Sequence, residues 1–471
     1  MKVLLTHGYF LQEDPKEQSI MRPYPPLGIL YVAAYLEQNG INAEVFDSTF
    51  STKDALKERL LADPPNYLAL YVNLMTKLNV LDIIQFVKST PSLKHVPLIV
   101  GGPDVRYNAE SLLTNGADYL VIGEGEMTAL ELIQALEAGE DLKDIEGLAF
   151  LGQDGAVHTT TERTKVKAID QIPFPARDKI DLQQYLSVWQ EFHGQSTVSI
   201  STMRGCPYTC KWCSRGVYGL SYRRMSAERV VNELEFVNKT YQPDSFWFVD
   251  DVFTVSHKWL KEFRDELQKR NVKVQFECIT RADRLNEETI GLLKDSGCFR
   301  VWIGAESGSQ KIIDRMDRRV DVNKVRDMIR LSREKGIEAG TFIMLGYPGE
   351  TEEDIEETIN HLKVSNPDHF TITVAYPIKG TELYQEIESD MLTDLPWETS
   401  TDRDIDFVRT YPRRYYDFAV RRVVNEVNYH KKVANGQQRS MGAFNLKLKS
   451  TAAKMGMWWE RSKIKRSASV E

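Results

Sequence analysis

Met203-Arg-Gly-Cys206-Pro-Tyr-Thr-Cys210-Lys-Trp-Cys213-Ser214 places three thiols within eight residues, spaced Cys-x3-Cys-x2-Cys. One loop can bring all three to a single metal centre. Three is one ligand short of a closed tetrahedral zinc site or an all-cysteine cluster, and an open coordination position is where metal chemistry takes place. Two other readings fit the same residues: a zinc site completed by a distant histidine, and cysteines packed as small apolar side chains. Zinc knuckles usually come as paired Cys-x2-Cys units, whereas the remaining Cys278 and Cys298 stand singly and far apart.

Outward from that loop, short apolar runs alternate with helical periodicity. Strands are predicted at 198–202, 245–250, 273–280, 300–305, 340–345 and 370–376, and helices at 227–239, 257–270, 287–296, 310–315, 322–335 and 352–365. Six β/α units in about 185 residues predict a partial, open (β/α)6 barrel rather than a closed eight-fold one. The cysteine loop follows the first strand. Side chains alternate along a strand, so Gln275, Glu277, Ile279 and Arg281 share one face, and Val274, Phe276 and Cys278 the other. With Arg281 toward the lumen, Cys278 belongs with the helices, and Cys298, in a turn after Gly297, is also read as packed. Adjacent Asp250 and Asp251 point to opposite faces and cannot form an acid–base pair; Asp250 reads as a polar wall or as a helix cap.

Upstream lies a second α/β series. Strands are predicted at 2–6, 42–47, 67–73, 97–100 and 118–122, with helices at 27–39, 53–61, 80–89, 109–115 and 126–136. This alternation predicts a parallel, doubly wound (Rossmann-like or flavodoxin-like) sheet whose ligand lies beyond the strands' C-terminal ends. Gly8, Gly101, Gly102, Gly123 and Gly125 sit at those ends. They serve either turn chemistry or close backbone approach to a flat or anionic ligand. Residues 141–195 read as a linker containing a hairpin around Asp154-Gly155 and a Pro-containing extended segment.

Five cysteines in 471 residues, three of them clustered, are no disulfide framework, and a reducing cytoplasm is expected. No apolar run approaches the roughly 20 residues of a membrane span, and the N-terminus turns polar too soon for a signal peptide. The net charge of −8 hides an asymmetry: residues 401–471 carry 16 Lys/Arg against 7 Asp/Glu, leaving the first 400 residues at −17. An acidic body argues against nucleic acid as the partner. The tail's Arg413-Arg414, Arg421-Arg422, Lys431-Lys432 and its last basic stretch, 447–466 with Trp458-Trp459, read as solvated helices. A peripheral contact with an anionic membrane, or docking of an acidic electron donor, are the other readings.

With Trp212 in the aromatic position, the cysteine loop resembles the Cys-x3-Cys-x-aromatic-Cys signature of the radical S-adenosylmethionine (SAM) superfamily. The resemblance implies that Cys206, Cys210 and Cys213 hold three irons of a [4Fe-4S] cluster, the fourth iron taking the amino and carboxylate groups of SAM. Gly304-Ala-Glu306-Ser307-Gly resembles the superfamily's ribose-contacting segment. Glu306, acceptor-only with two oxygens, would take the ribose hydroxyls, and Ser307 and Arg281 the methionine carboxylate. The stretch from Gly340 to Gly349, including Gly346, resembles the segment flanking the adenine, and 376–384 the one after the sixth strand.

Leu27-Gly28 after Arg22-Pro-Tyr-Pro-Pro, Gly101-Gly102-Pro103 and Gly123-Glu124-Gly125-Glu126 resemble the cobalamin-binding domain of one branch of that superfamily. The Asp-x-His-x-x-Gly motif of histidine-ligated cobalamin domains is missing; His7 stands in Thr-His-Gly-Tyr. The resemblance therefore implies bound cobalamin without a His–cobalt bond. It covers roughly residues 1 to 385 and implies a cobalamin-binding domain at 1–140, the linker, a radical SAM barrel at 196–385 and a helical basic tail at 386–471. The activity it implies is cleavage of SAM to a 5′-deoxyadenosyl radical with cobalamin-assisted methyl transfer to an unactivated carbon of a small molecule. Electrons would come from a flavodoxin or ferredoxin. The alternatives are oxidative cyclisation or rearrangement without methylation, as in the anaerobic Mg-protoporphyrin ester cyclase, and a non-catalytic cobalamin or iron–sulfur sensor.

Overall fold

The computed structural model describes residues 1–467, with side chains to residue 463; Lys465 and Arg466 of the basic stretch thus lie outside the described side chains. Residues 1–207, 214–247 and 395–402 form one compact unit, and residues 208–213 and 248–394 with the chain from 403 onward form another.

The first unit carries β1 (Lys2–His7), β2 (Asn42–Phe46), β3 (Tyr67–Tyr71), β4 (Leu98–Gly101), β5 (Tyr119–Val121), β6 (Leu148–Leu151) and β7 (Val157–Thr159), in sheet order β2-β1-β3-β4-β5-β6-β7. The pairings from β2 through β5 are parallel, and β6 and β7 add antiparallel ladders. The 148–160 hairpin therefore continues this sheet, with Leu148 opposite Val121. Both faces are covered. Val3 and Leu5 join one apolar core with Ala33, Leu36 and Ile133, while Leu4 joins the other with Ile84, Val87 and Leu112. Strands buried on both sides read as continuous apolar runs, which is why the pattern here is Val-Leu-Leu rather than alternating. Helix Leu182–His193, capped by Asp181, lies in the stretch read as linker, although its buried Leu182, Tyr185, Leu186 and Trp189 recur at helical spacing.

Further strands are β8 (Thr197–Ile200), β9 (Met203–Arg204), β10 (Arg223–Arg224), β11 (Ser245–Phe248), β12 (Phe276–Thr280), β13 (Cys298–Glu306), β14 (Glu338–Leu345) and β15 (His369–Val374). Within the second unit the strand order β12-β13-β14-β15 follows the chain, part of the half-barrel parallel sheet that was expected. These strands pair in parallel. Their helices start where the sequence supplies caps: Ser256 accepts from Trp259 N–H, Asn286 from Thr289 N–H, and Thr351 and Asp354 close a capping box. Phe276 packs with Phe248, Phe253 and Phe263 on the helix side. The opposite strand phase puts Glu277 against Arg300 and the Trp302 Nε1–H at 2.9 Å, with Trp302 stacked on Phe342. Cys278 and Cys298 are fully buried. Asp250 is buried as well, and the helix after it is capped by Ser256 instead. Two C-terminal helices, Arg413–Ala434 and Met441–Ser467, pack along one another. Among the described residues no helix is long and apolar enough to cross a membrane.

Candidate active site

A cavity of about 300 Å³ opens at the C-terminal ends of β1, β3, β4 and β5. Glycine backbone forms much of its wall: Gly28, Gly101, Gly102, Gly123 and Gly125, joined by Tyr31, Tyr71, Val121, Val217 and Tyr218. Gly102 has φ +124°, and a Cβ there would sit 2.2 Å from the Val72 carbonyl oxygen, so only glycine fits. The wall is aromatic and backbone-lined, with little charge exposed, which suits a flat, largely apolar macrocycle. Leu27, predicted with these residues, is not among the lining side chains.

Glu124 and Glu126 reach this cavity, but their carboxylates are engaged. Arg204, 2% exposed, donates to Glu124 Oε1 at 3.0 Å and to Glu126 Oε2 at 3.2 Å, and Arg223 donates to Glu124 at 2.8 Å. The Arg204 guanidinium lies between the Tyr31 and Tyr218 rings, 5.7 and 5.5 Å from their centroids. Burial alone would raise the Glu124 carboxyl, yet Arg223 and Arg204 hold it below its ordinary value. Arg204 thus ties the Gly123–Glu126 turn to β9, immediately ahead of Cys206. His7 is turned to other work: its Nδ1 accepts from Tyr9 N–H at 3.2 Å and its Nε2 donates to Asp47 at 3.0 Å. Asp47 in turn accepts from the Tyr185 hydroxyl at 2.7 Å, so both imidazole nitrogens are committed to this buried chain.

None of the three loop cysteines is in a disulfide: Cys206 is half-buried, Cys210 buried and Cys213 exposed. Cys206 bridges to Leu220. The 208–213 segment is held by Lys211 N–H to the Met316 carbonyl (3.2 Å), by the Leu383 N–H to the Lys211 carbonyl (2.9 Å), and by Thr209 to Asp317 (2.7 Å). Trp212 packs against the core of Ile312, Met316, Met344 and Tyr347. Among the described residues no three His, Cys, Asp or Glu side chains are already gathered as a metal site.

The surroundings of Cys210 fit a sulfur that carries negative charge as an iron ligand. Arg281, 2% exposed at the end of β12, aims Nη1 at Cys210 Sγ (3.7 Å), donates Nη2 to the Arg318 carbonyl (2.7 Å) and stacks on Tyr208. Arg318 aims Nη1 at the same sulfur (3.6 Å) and gives Nη2 to the Gly304 carbonyl at 2.8 Å. The same Nη2 lies 3.6 Å from Glu306 Oε1. Two guanidinium groups converging on one thiol are costly in apo form and useful around an anionic cluster. Arg318 was not anticipated; it follows a short helix, in no pattern that marks it.

Glu306 ends β13 with φ +66°, a left-handed conformation rare for a side-chain-bearing residue, at a register shift between Gly304 and Glu306. Burial pushes its carboxyl up, opposed by Arg318 and Arg281. Gly304 makes room: a Cβ there would lie 2.3 Å from Arg318 Nη2 and 2.8 Å from Glu306 Oε1. The Ser307 hydroxyl serves its own loop, accepting from Ser309 N–H at 3.1 Å and meeting Thr358 Oγ1 at 3.3 Å. Gly346, at φ +79°, donates its N–H to the buried Glu350 at 2.6 Å. Burial drives that carboxyl up to about 8, so it is protonated at neutral pH.

Residues 200–362 match the radical SAM superfamily and residues 19–133 match the B12 binding domain. The chain is an enzyme of the radical SAM superfamily, of the branch with a B12-binding domain ahead of the radical SAM domain. It is 28% identical over 417 residues to an uncharacterized methyltransferase of Pyrococcus horikoshii, covering 86% of this chain and 87% of that one. It is 25% identical over 398 residues to the anaerobic magnesium-protoporphyrin IX monomethyl ester cyclase of Rubrivivax gelatinosus, covering 82% and 70%. Its fold is similar to that of the radical SAM methyltransferase TsrM from Kitasatospora setae, solved with cobalamin and a [4Fe-4S] cluster. There the TM-score is 0.69 at 21% identity, covering 82% of this chain and 78% of that one.

Proposed function

We propose that this enzyme is a cobalamin-dependent radical SAM methyltransferase acting on a small molecule. The observation that carries the reading is the convergence of Arg281 and Arg318 on Cys210, with Glu306 beside the same Arg318. When bound, the reduced [4Fe-4S] cluster supplies the electron that cleaves SAM, and cobalamin carries the methyl group. The chain's own residues do the rest. Cys206, Cys210 and Cys213 hold the cluster. Arg281 and Arg318 present cationic donors to a sulfonium nucleotide's carboxylate. Glu306 accepts from its ribose hydroxyls, and Gly304 and Gly346 leave the backbone clear. Ser307, Trp212 and Glu350 set the shape of these loops. Gly28, Gly101, Gly102, Gly123 and Gly125 would leave room for a corrin at the cavity wall, with Glu124, Glu126 and Arg204 fixing the last turn.

A small acidic redox protein, flavodoxin or ferredoxin, is the electron donor we propose. The 25% identity to a cyclase over most of the chain supports a second reading, radical chemistry without methylation. Anaerobic incubation of reconstituted protein with reductant, cobalamin and methyl-labelled SAM, over extracts as substrate source, tests both. The proposal expects 5′-deoxyadenosine together with label in a product. Deoxyadenosine with no transferred label leaves the cyclase reading, and neither product refutes the two.

A further inference from the structure

The C-terminal helix, Met441–Ser467, has two apolar faces. Ala443, Ala453 and Met457 are buried against helix 413–434, and Gly456 admits the Phe418 ring to within 2.5 Å of where a Cβ would lie. Lys447 and Ser450 on Glu426, and Arg461 on Glu352, fix the helix's rotation about its axis. The other face is open: Met441 is 74% exposed, Phe444 63%, Leu448 58%, Met455 67%, Trp458 59% and Trp459 53%. At one turn per 3.6 residues these six fall within an arc of about 100° and run for about 27 Å. Lys447, Lys454 and Arg461 border the arc on one side, Lys449 and Lys463 on the other. Exposed apolar side chains scattered singly need no explanation, but six on one stripe mark a contact surface.

We propose that this stripe rests in the surface of an anionic lipid bilayer, the helix lying parallel to the membrane. Charge argues for that occupant. Lys449 and Lys454 form no ion pair among the described residues, and the last 71 residues are net positive on an otherwise acidic protein. An apolar face of Leu, Met, Phe and Trp margined by lysine is the make-up of interfacial helices, and Trp suits the headgroup level. A second copy of the chain would set like-charged margins against each other. No described helix is long and apolar enough to span, so this contact is peripheral.

The test is co-sedimentation of the full chain, purified anaerobically, with vesicles of phosphatidylcholine alone or with about a third phosphatidylglycerol. Binding is expected to the anionic vesicles and to fall with salt. K449E/K454E should weaken it at least tenfold, from roughly fivefold per lysine. W458S/W459S should weaken it comparably and abolish quenching by brominated lipid. All four side chains are exposed, so both variants should melt like the parent, and SAM cleavage without vesicles should be unchanged. Equal binding to both vesicle types, binding that survives both variants, or no binding with a concentration-dependent dimer would each overturn the proposal.

Discussion

Arg204→Met should unlock the turn that closes the cobalamin-domain cavity. Arg204 is 2% exposed and serves two buried carboxylates. Glu124 would keep Arg223 and the Val166 N–H, at 2.8 and 3.1 Å. Glu126 would keep no ion-pair partner among the described residues while only 7% exposed. Leaving one partner of a buried pair uncompensated costs about 3–5 kcal/mol, which for a unit of this size lowers the melting temperature by roughly 6–20 °C. Arg204→Met with Glu126→Gln removes the stranded charge and should recover about half of that loss, showing as a coupling energy of a few kcal/mol. The sign with pH follows from Glu124, whose carboxyl Arg204 and Arg223 hold low. Its contribution is complete above the ordinary carboxylate range and disappears as pH falls through the folded value, so wild type and variant should converge in acid once pH lies below that lowered value. Anaerobic thermal melts, with cobalamin retention read from its absorbance, supply the assay. A loss under about 1 kcal/mol, or no recovery in the double variant, would refute the buried-pair argument.

Other consequences are equally concrete. Gly304→Ala puts a methyl group onto Arg318 and Glu306 and should weaken SAM binding about tenfold to a hundredfold, one or two charged hydrogen bonds, with the melt little changed; calorimetric titration checks it. Glu350, raised from near 4.5 to about 8 by burial, makes wild type lose stability as pH climbs through that window. The unfolded chain is ionised there and the folded one is not, a slope of roughly 1 kcal/mol per pH unit, so Glu350→Gln should flatten the melting temperature between pH 5 and about 8. In apo protein, iodoacetamide followed by peptide mapping should label exposed Cys213 first and spare Cys278 and Cys298 until unfolding.

Much of the fold was legible because its signals are local. Strand and helix periodicity placed the parallel series, and β13 and β14 fell within two residues of their predicted starts. Four of the five glycines read at strand ends line the cavity, Gly8 being the exception, and at Gly102 the Val72 carbonyl leaves no room for a Cβ. What escaped were partnerships between distant residues. Arg204 and Arg318 look like ordinary cations in sequence; only the fold shows them 78 residues from Glu126 and 108 from Cys210, each buried beside charge. The same holds for Ser307, whose hydroxyl the neighbouring Ser309 and Thr358 claim. The hairpin read as a connection joined the sheet because β5 left an open edge beside buried Leu148 and Ala149. A strand's unpaired edge is invisible to one-dimensional pattern.

Iron and sulfide content tests the account most directly. Anaerobically reconstituted protein should hold about four of each per chain, and its reduced cluster should show an EPR signal that shifts when SAM is added, since one iron has no cysteine. Changing Cys206, Cys210 and Cys213 together to alanine should leave neither metal nor signal. A full complement retained by that variant, or a wild-type signal indifferent to SAM, would contradict it.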